Sequence, residues 1–283
     1  LQKTKISSIV VGFFSITNII FSVFFVLYFN MNVEGVAYGT LVASTVTTII
    51  FVFYTFHYLS KTTSLEINVR DVFNIKKIQS IFNINFNIFI RTILLTFSFL
   101  YFTYLGNSIS EDVVAANTIL LNLTMLSAFI LDAYAFSTEG VVGYSIGAKD
   151  KKLLKSVIKN SFILSAASSL IICVIFLIGK NSFIEMMTDI PDIREISFAY
   201  SNWVVIIPFI SSFCFQFDGI FVGASQTKEL RNAMIISVGI YVLSSFYLLA
   251  NFGNTGLWIS LCIFFIARAL TLFLYLGKII GRV

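Results

Sequence analysis

The chain has 283 residues, of which 58% are apolar and only 12% are charged. That balance lies far from the soluble average and excludes an ordinary soluble globular domain. The net charge of +5 does not point to nucleic acid, because the basic residues gather at the edges of apolar stretches, where they set orientation and meet anionic lipid.

A helix needs roughly 20 apolar residues to cross a bilayer. Eight such stretches follow one another: Ile6–Phe29, Gly35–Leu59, Ile81–Leu105, Val113–Val142, Ser161–Ile178, Phe198–Val222, Ala233–Ala250 and Thr255–Leu276. The fold class expected is an all-α polytopic membrane protein with eight transmembrane helices. Basic residues follow every second gap. Lys61, Arg70, Lys76 and Lys77 come after the second stretch, Lys149–Lys159 after the fourth, Lys228 and Arg231 after the sixth, and Lys278 and Arg282 after the eighth. The other gaps are short, neutral or acidic, apart from Lys180 and Arg194. The positive-inside rule then places both ends of the chain in the cytoplasm.

The first two stretches form one pair, residues 1–60. Residues 61–80 interleave Val69, Val72, Phe73 and Ile75 with charges, which predicts an amphipathic helix on the cytoplasmic surface. Residues 81–283 form a six-helix unit. In the third stretch, Asn83, Asn87, Arg91 and Ser98 make a polar stripe. In the fourth, Asn117, Thr124, Ala128, Asp132, Ala135 and Glu139 fall within roughly 80° on a helical wheel. Polar stripes on apolar helices face a bundle interior or a wet path, although amides and small residues also hold helices together. Gly143 and Gly147 read as a helix-packing pair. Pro191 is expected in an outer loop. Pro208, inside the sixth stretch, must free a carbonyl and bend its helix. Trp203 and Trp258 sit near outer ends, as interfacial aromatics do. Cys173, Cys214 and Cys262 lie within the stretches, so no disulfide is expected.

Charges inside a membrane are costly and ask for a reason. Arg91, Asp132, Asp218 and Arg268 fall at similar depth, two acids and two bases. They read either as a neutral, mutually paired lock or as a gate or proton relay, and a gate is a lock that opens. Glu139 lies nearer the surface; it is either a proton acceptor on the stripe of Asp132 or a solvated helix-end acid. His57 has no evident partner, no phosphate-binding loop is present, and no His/Cys cluster has metal-ligand spacing. An enzyme is therefore not expected, nor a metal, a nucleotide or any cofactor. These features alone reach a membrane protein with a polar interior, of transporter type.

Three motifs add more. Asn85–Arg91, then Ile130–Gly140 continuing to Gly147–Asp150, then Pro208 with Phe217–Ser225 and Arg231–Met234 occur in order. Together they resemble multidrug and toxic compound extrusion (MATE) transporters, in the branch of the DNA-damage-inducible protein F. The resemblance implies a twelve-helix, two-lobe fold of which this chain supplies helices five to twelve, the first four lying upstream. It implies secondary active efflux of organic, often cationic or amphipathic, compounds by H⁺ or Na⁺ antiport across the bacterial inner membrane. Its partners would be a small organic substrate and membrane lipid, with no nucleic acid, and the full-length protein would be monomeric. The family's first-lobe cation site falls on Asn18, Ser22 and Thr40, with Ser22 replacing a carboxylate; Asn87 stands where the branch has Asp. Neither Ser nor Asn titrates, so coupling would rest mainly on the first-helix acid of the family. The rival readings are a lipid-linked-precursor flippase of the same superfamily and a membrane scaffold subunit without transport.

Overall fold

The computed structural model describes residues 4–62 and 74–281, and all its regular elements there are helices: α1 (Thr4–Tyr28), α2 (Val33–Thr62), α3 (Ile75–Asn107), α4 (Glu111–Gly147), α5 (Lys151–Met187), α6 (Pro191–Tyr200), α7 (Asn202–Gly223) and α8 (Thr227–Ile280). Seven of them, all but α6, are long and apolar enough to cross a membrane. The chain divides into two compact units, Leu1–Lys77 and Ile78–Val283. The expected amphipathic helix at 61–80 lies largely outside the described residues; Ile75 belongs to α3.

α8 supplies two crossings. It runs for 54 residues and carries a single non-helical residue, Gly253, at φ 56°, ψ −135°. In a straight helix residues 241 and 264 would stand about 35 Å apart. Instead the rings of Tyr241 and Phe264 lie 5.6 Å apart, and Lys278 Nζ sits 3.6 Å from Glu229 Oε1. The helix therefore folds back at Gly253 into a hairpin of two limbs. A Cβ at Gly256 would fall on the carbonyl of Leu248, so the limbs meet closely beside the turn. With this hairpin the eight expected crossings are all present.

Hydropathy marks only the hydrocarbon part of each helix. α5 starts at Lys151, ten residues before the expected start at Ser161, so the basic segment Lys151–Lys159 is helix, not loop. Asp150 caps it, its side chain accepting from the Leu153 N–H at 2.9 Å, and Ser110 caps α4 in the same way at 3.2 Å, with Glu111 and Asp112 in the first turn favoured by the helix dipole. Pro191 is not in a loop. It opens α6, where its missing N–H costs nothing.

In the second unit α7 is the most buried span, packed against α4, α5 and α8. One apolar core gathers Phe102, Leu123, Leu131, Ile207, Tyr241, Trp258 and Phe264. A second, nearer the basic ends, gathers Leu154, Phe217, Phe221, Leu230 and Leu272. Trp258 is fully buried. The sequence reading of it as an interfacial aromatic is corrected: its indole packs edge-on to Phe102 at 4.9 Å.

Candidate functional site

The densest polar group in the second unit centres on Asp218 of α7. Its Oδ2 accepts from Nη2 of Arg91 on α3 and from Nη2 of Arg268 on the second limb of α8. One carboxylate thus ties three helices. Arg268 is 1% exposed, whereas the Arg91 side chain is 23% exposed. Two guanidiniums against one carboxylate leave the trio at net +1. Asp132, half-buried on α4, lies within electrostatic reach of Asp218, Arg91 and Arg268. Among the described residues Asp132 makes no ion pair within 4 Å. The structure therefore joins three of the four expected charges directly and holds the fourth alongside. Asp218 Oδ1, Arg91 Nε, and Nε and Nη1 of Arg268 are buried with no hydrogen-bond partner among the described residues.

α4 meets α7 backbone to backbone. A Cβ at Gly219 would land on the Ala135 carbonyl, and one at Gly223 on the Glu139 carbonyl. The close-packing glycine pair is Gly219 and Gly223, not Gly143 and Gly147: nothing lies within 4 Å of a Cβ at Gly147, and one at Gly143 would meet only the Gly223 carbonyl, at 3.3 Å. This tight approach fixes the height of Asp132 and Glu139 relative to Asp218. Glu139 is half-buried, and among the described residues no basic group pairs with it. Next to Glu139 in the chain, Thr138 Oγ1 donates to Gln216 Oε1 at 3.0 Å, both residues buried. Pro208, buried inside α7, leaves the Val204 carbonyl without its helical donor.

A second polar cluster lies toward the start of α3 and of α8. Asn87 Oδ1 accepts from Arg231 Nη1 at 2.9 Å, and Asn87 Nδ2 faces Thr227 Oγ1 at 3.4 Å. Arg231 also donates to Asn232 Oδ1 at 2.9 and 3.1 Å. Sequence reading read Arg231 only as a topogenic charge; its place in the third motif was the signal that it does more. Asn83 is exposed. Ser98 is fully buried and spends its hydroxyl on the Leu94 carbonyl at 2.9 Å.

Farther along the stripes, the polar residues are engaged in packing. Asn117 and Asn254 form a reciprocal amide pair at 2.7 and 3.1 Å, and Trp258 Nε1 donates to Asn117 Oδ1 at 3.0 Å. This lock joins α4 to the α8 turn. Thr124 is buried, with its hydroxyl on the Leu120 carbonyl at 2.9 Å. Asn254 and Trp258 carried no sequence signal linking them to Asn117.

In the first unit Asn18, Ser22 and Thr40 come together. Ser22 Oγ donates to Asn18 Oδ1 at 3.2 Å, and Asn18 Nδ2 donates to Thr40 Oγ1 at 3.1 Å. Gly39 makes room for them: a Cβ there would lie 2.5 Å from Ser22 Oγ and 2.6 Å from Ser22 N. Among the described residues no three His, Cys, Asp or Glu side chains are grouped to hold a metal ion.

With this geometry in hand, the comparisons with known proteins agree on one family. The MatE family model matches residues 87–248. The DNA damage-inducible protein F of Escherichia coli (strain K12) is 29% identical over 270 residues, covering 95% of this chain and 58% of that protein. The multidrug export protein MepA of Staphylococcus aureus (strain MSSA476) is 24% identical over 249 residues, covering 87% of this chain and 54% of that protein. Among solved structures, an outward-facing multidrug resistance MATE family transporter of the MOP superfamily superposes at a TM-score of 0.86 with 18% identity, over 96% of this chain and 62% of that one. A MOP superfamily transporter from Pyrococcus furiosus matches at 0.85 with 17% identity, again over 96% and 62%. The chain spans about half the length of the curated relatives it matches.

Proposed function

The chain belongs to the MatE family, and from that premise we propose that it forms helices five to twelve of a secondary active exporter in the bacterial inner membrane. Residues 1–60 would complete a first lobe, residues 61–80 would link the lobes along the cytoplasmic surface, and residues 81–283 would be the second lobe. The cargo would be organic compounds, often cationic or amphipathic, moved against H⁺ or Na⁺, with no cofactor. The basic ends of the helices would lie in the cytoplasm. The whole transporter would work as a monomer.

One observation carries the mechanistic part of this reading: a single carboxylate, Asp218, is shared by Arg91 and Arg268 from two other helices. Asp132 offers Arg91 a second carboxylate on the neighbouring helix. We assign Arg268–Asp218 the fixed contact and Arg91 the movable one, because Arg91 is the more exposed. In the first unit the Asn18–Ser22–Thr40 set would be the remnant of a cation site, and it holds no carboxylate. Glu139 would assist coupling at the edge of the second lobe.

The flippase alternative needs free positive charge for a pyrophosphate group; both Arg91 and Arg268 are already committed to Asp218, which favours the exporter. The deciding measurement is export of an organic cation by the full-length protein in proteoliposomes under an imposed H⁺ or Na⁺ gradient. Gradient-driven export that falls in Asp218→Asn supports the reading. Gradient-independent scrambling of a lipid-linked precursor would replace it with the flippase.

A further inference from the structure

A groove of about 630 Å³ opens in the second unit between α5, α7 and the second limb of α8. Its floor and walls are apolar: Ile158 and Phe162 from α5, Phe209 and Phe217 from α7, Ile266 and Leu276 from α8. On α7 the lining residues cluster roughly 125° around the helix from Asp218, using 100° per residue, so the groove is not a wall of the ion cluster. Ile266 to Leu276 spans about 15 Å of helix, which matches one leaflet of a hydrocarbon core about 30 Å thick.

Lysines stand at one end of this groove. Lys155 and Lys159 are exposed and fall within roughly 100° of the α5 face that carries Ile158 and Phe162. Among the described residues neither enters an ion pair. Lys278, two residues beyond Leu276, turns away from the groove toward Glu229 on the first limb of α8, at 3.6 Å. Long lysine stems lie along apolar surface and lift their ammonium groups to the headgroup level. An apolar slot one leaflet deep that ends in unpaired ammonium groups fits one amphiphile chemistry: an acyl chain below, a phosphate above. Cationic amphiphiles are disfavoured by the same lysines.

We propose that this groove is a binding site for an anionic phospholipid of the leaflet at the basic ends of the helices, with one acyl chain along α7 and α8 and the phosphate on Lys155 and Lys159. The occupant would wedge α5 against α7, the helix that carries Asp218, and so couple lipid composition to the second unit.

Leu270 lines the groove and is 58% exposed, so Leu270→Trp adds a reporter without overfilling the core. Its emission is taken as the difference from the parent chain, reconstituted in vesicles containing dibrominated phosphatidylglycerol or dibrominated phosphatidylcholine at equal mole fraction. Leu243→Trp, at a 74% exposed position outside the groove, gives the bulk-lipid baseline. Phosphatidylglycerol should be preferred about tenfold at residue 270, not at residue 243, and Lys155→Gln with Lys159→Gln should abolish the preference. Equal quenching by both lipids at residue 270, or a preference that survives loss of both lysines, would overturn the site. Absence of quenching at residue 270 would overturn it too, by showing that protein, such as a second copy, covers the groove.

Discussion

Arg268 and Asp218 form an ion pair that is almost wholly removed from solvent: the arginine side chain is 1% exposed and the aspartate 11%. Arg91 reaches the same carboxylate oxygen from a third helix. Buried charges of this kind contribute little as pairs and a great deal as obligations, since removing one partner strands the other.

That asymmetry sets the first prediction. Asp218→Asn strands two guanidiniums and should cost about 3–5 kcal/mol. Arg268→Gln should cost more than Arg91→Gln, because the Arg268 side chain is 1% exposed and that of Arg91 is 23% exposed. Thermal unfolding of the purified chain in detergent ranks the three. Equal, negligible effects of Arg268→Gln and Arg91→Gln would show that Asp218 needs neither partner. A charge-swapped Arg268→Asp with Asp218→Arg should recover part of the loss seen in either single change.

The glycines give a sharper contrast. Gly219→Ala and Gly223→Ala push a methyl group onto the Ala135 and Glu139 carbonyls, which backbone cannot yield cheaply, so each should destabilise by about 1–3 kcal/mol or more through overpacking. Gly147→Ala meets open space and should be neutral or mildly stabilising, as Ala is the better helix former. Gly253→Ala should also destabilise, because its φ of 56° and ψ of −135° belong to a region that side chains avoid. Equal stability of Gly219→Ala and Gly147→Ala would contradict the α4–α7 contact.

These glycines also show where sequence reading stops. Lengths and charges were legible: the eight crossings follow from apolar runs of membrane thickness, and the α8 turn at Gly253 falls in the gap between the seventh and eighth runs. Gly143 and Gly147 and Gly219 and Gly223 have the same spacing, however, and spacing does not say which pair faces a neighbour. Trp258 has the composition of an interfacial residue; only the tertiary partner Asn117 puts it in the core. Similar depth and opposite sign were enough to group Arg91, Asp218 and Arg268, because charges in hydrocarbon must seek one another. They were not enough to say that Asp132 stays one step away. Arg231 was hidden by a simpler explanation of its charge, and its bond to Asn87 required the fold.

The amide lock is testable by itself. Asn117→Ala removes both partners of Asn254 and the acceptor of Trp258, leaving buried groups unpaired at about 1–3 kcal/mol each. Trp258→Phe leaves Asn117 still bonded to Asn254 and should cost less. In a double-mutant cycle on unfolding free energy, Asn117→Ala and Trp258→Phe should couple by about 0.5 kcal/mol or more. Strict additivity would mean that the 3.0 Å contact carries no energy.

Coupling is the last question, and Ser22 is the residue to ask. Its hydroxyl sits among Asn18, Thr40 and the backbone of Gly39, a set that can coordinate or relay but cannot titrate. Ser22→Asp would place a carboxylate among existing donors, since Asn18 Nδ2 can turn to it. In the full-length transporter this change should add a pH-dependent component to substrate-driven proton flux in liposomes. The direction follows from the chemistry: an acid that binds a proton from one side and releases it to the other contributes only while the pH lets it cycle. Glu139→Gln should lower the same flux modestly, because Glu139 is half-buried and, among the described residues, has no basic partner to hold it ionised. Flux unchanged in Glu139→Gln would make that side chain structural. Flux unchanged in Ser22→Asp would move the coupling site out of the first unit's polar trio. A parent protein that moves substrate only with Na⁺, with no proton flux, would remove the proton version for both residues.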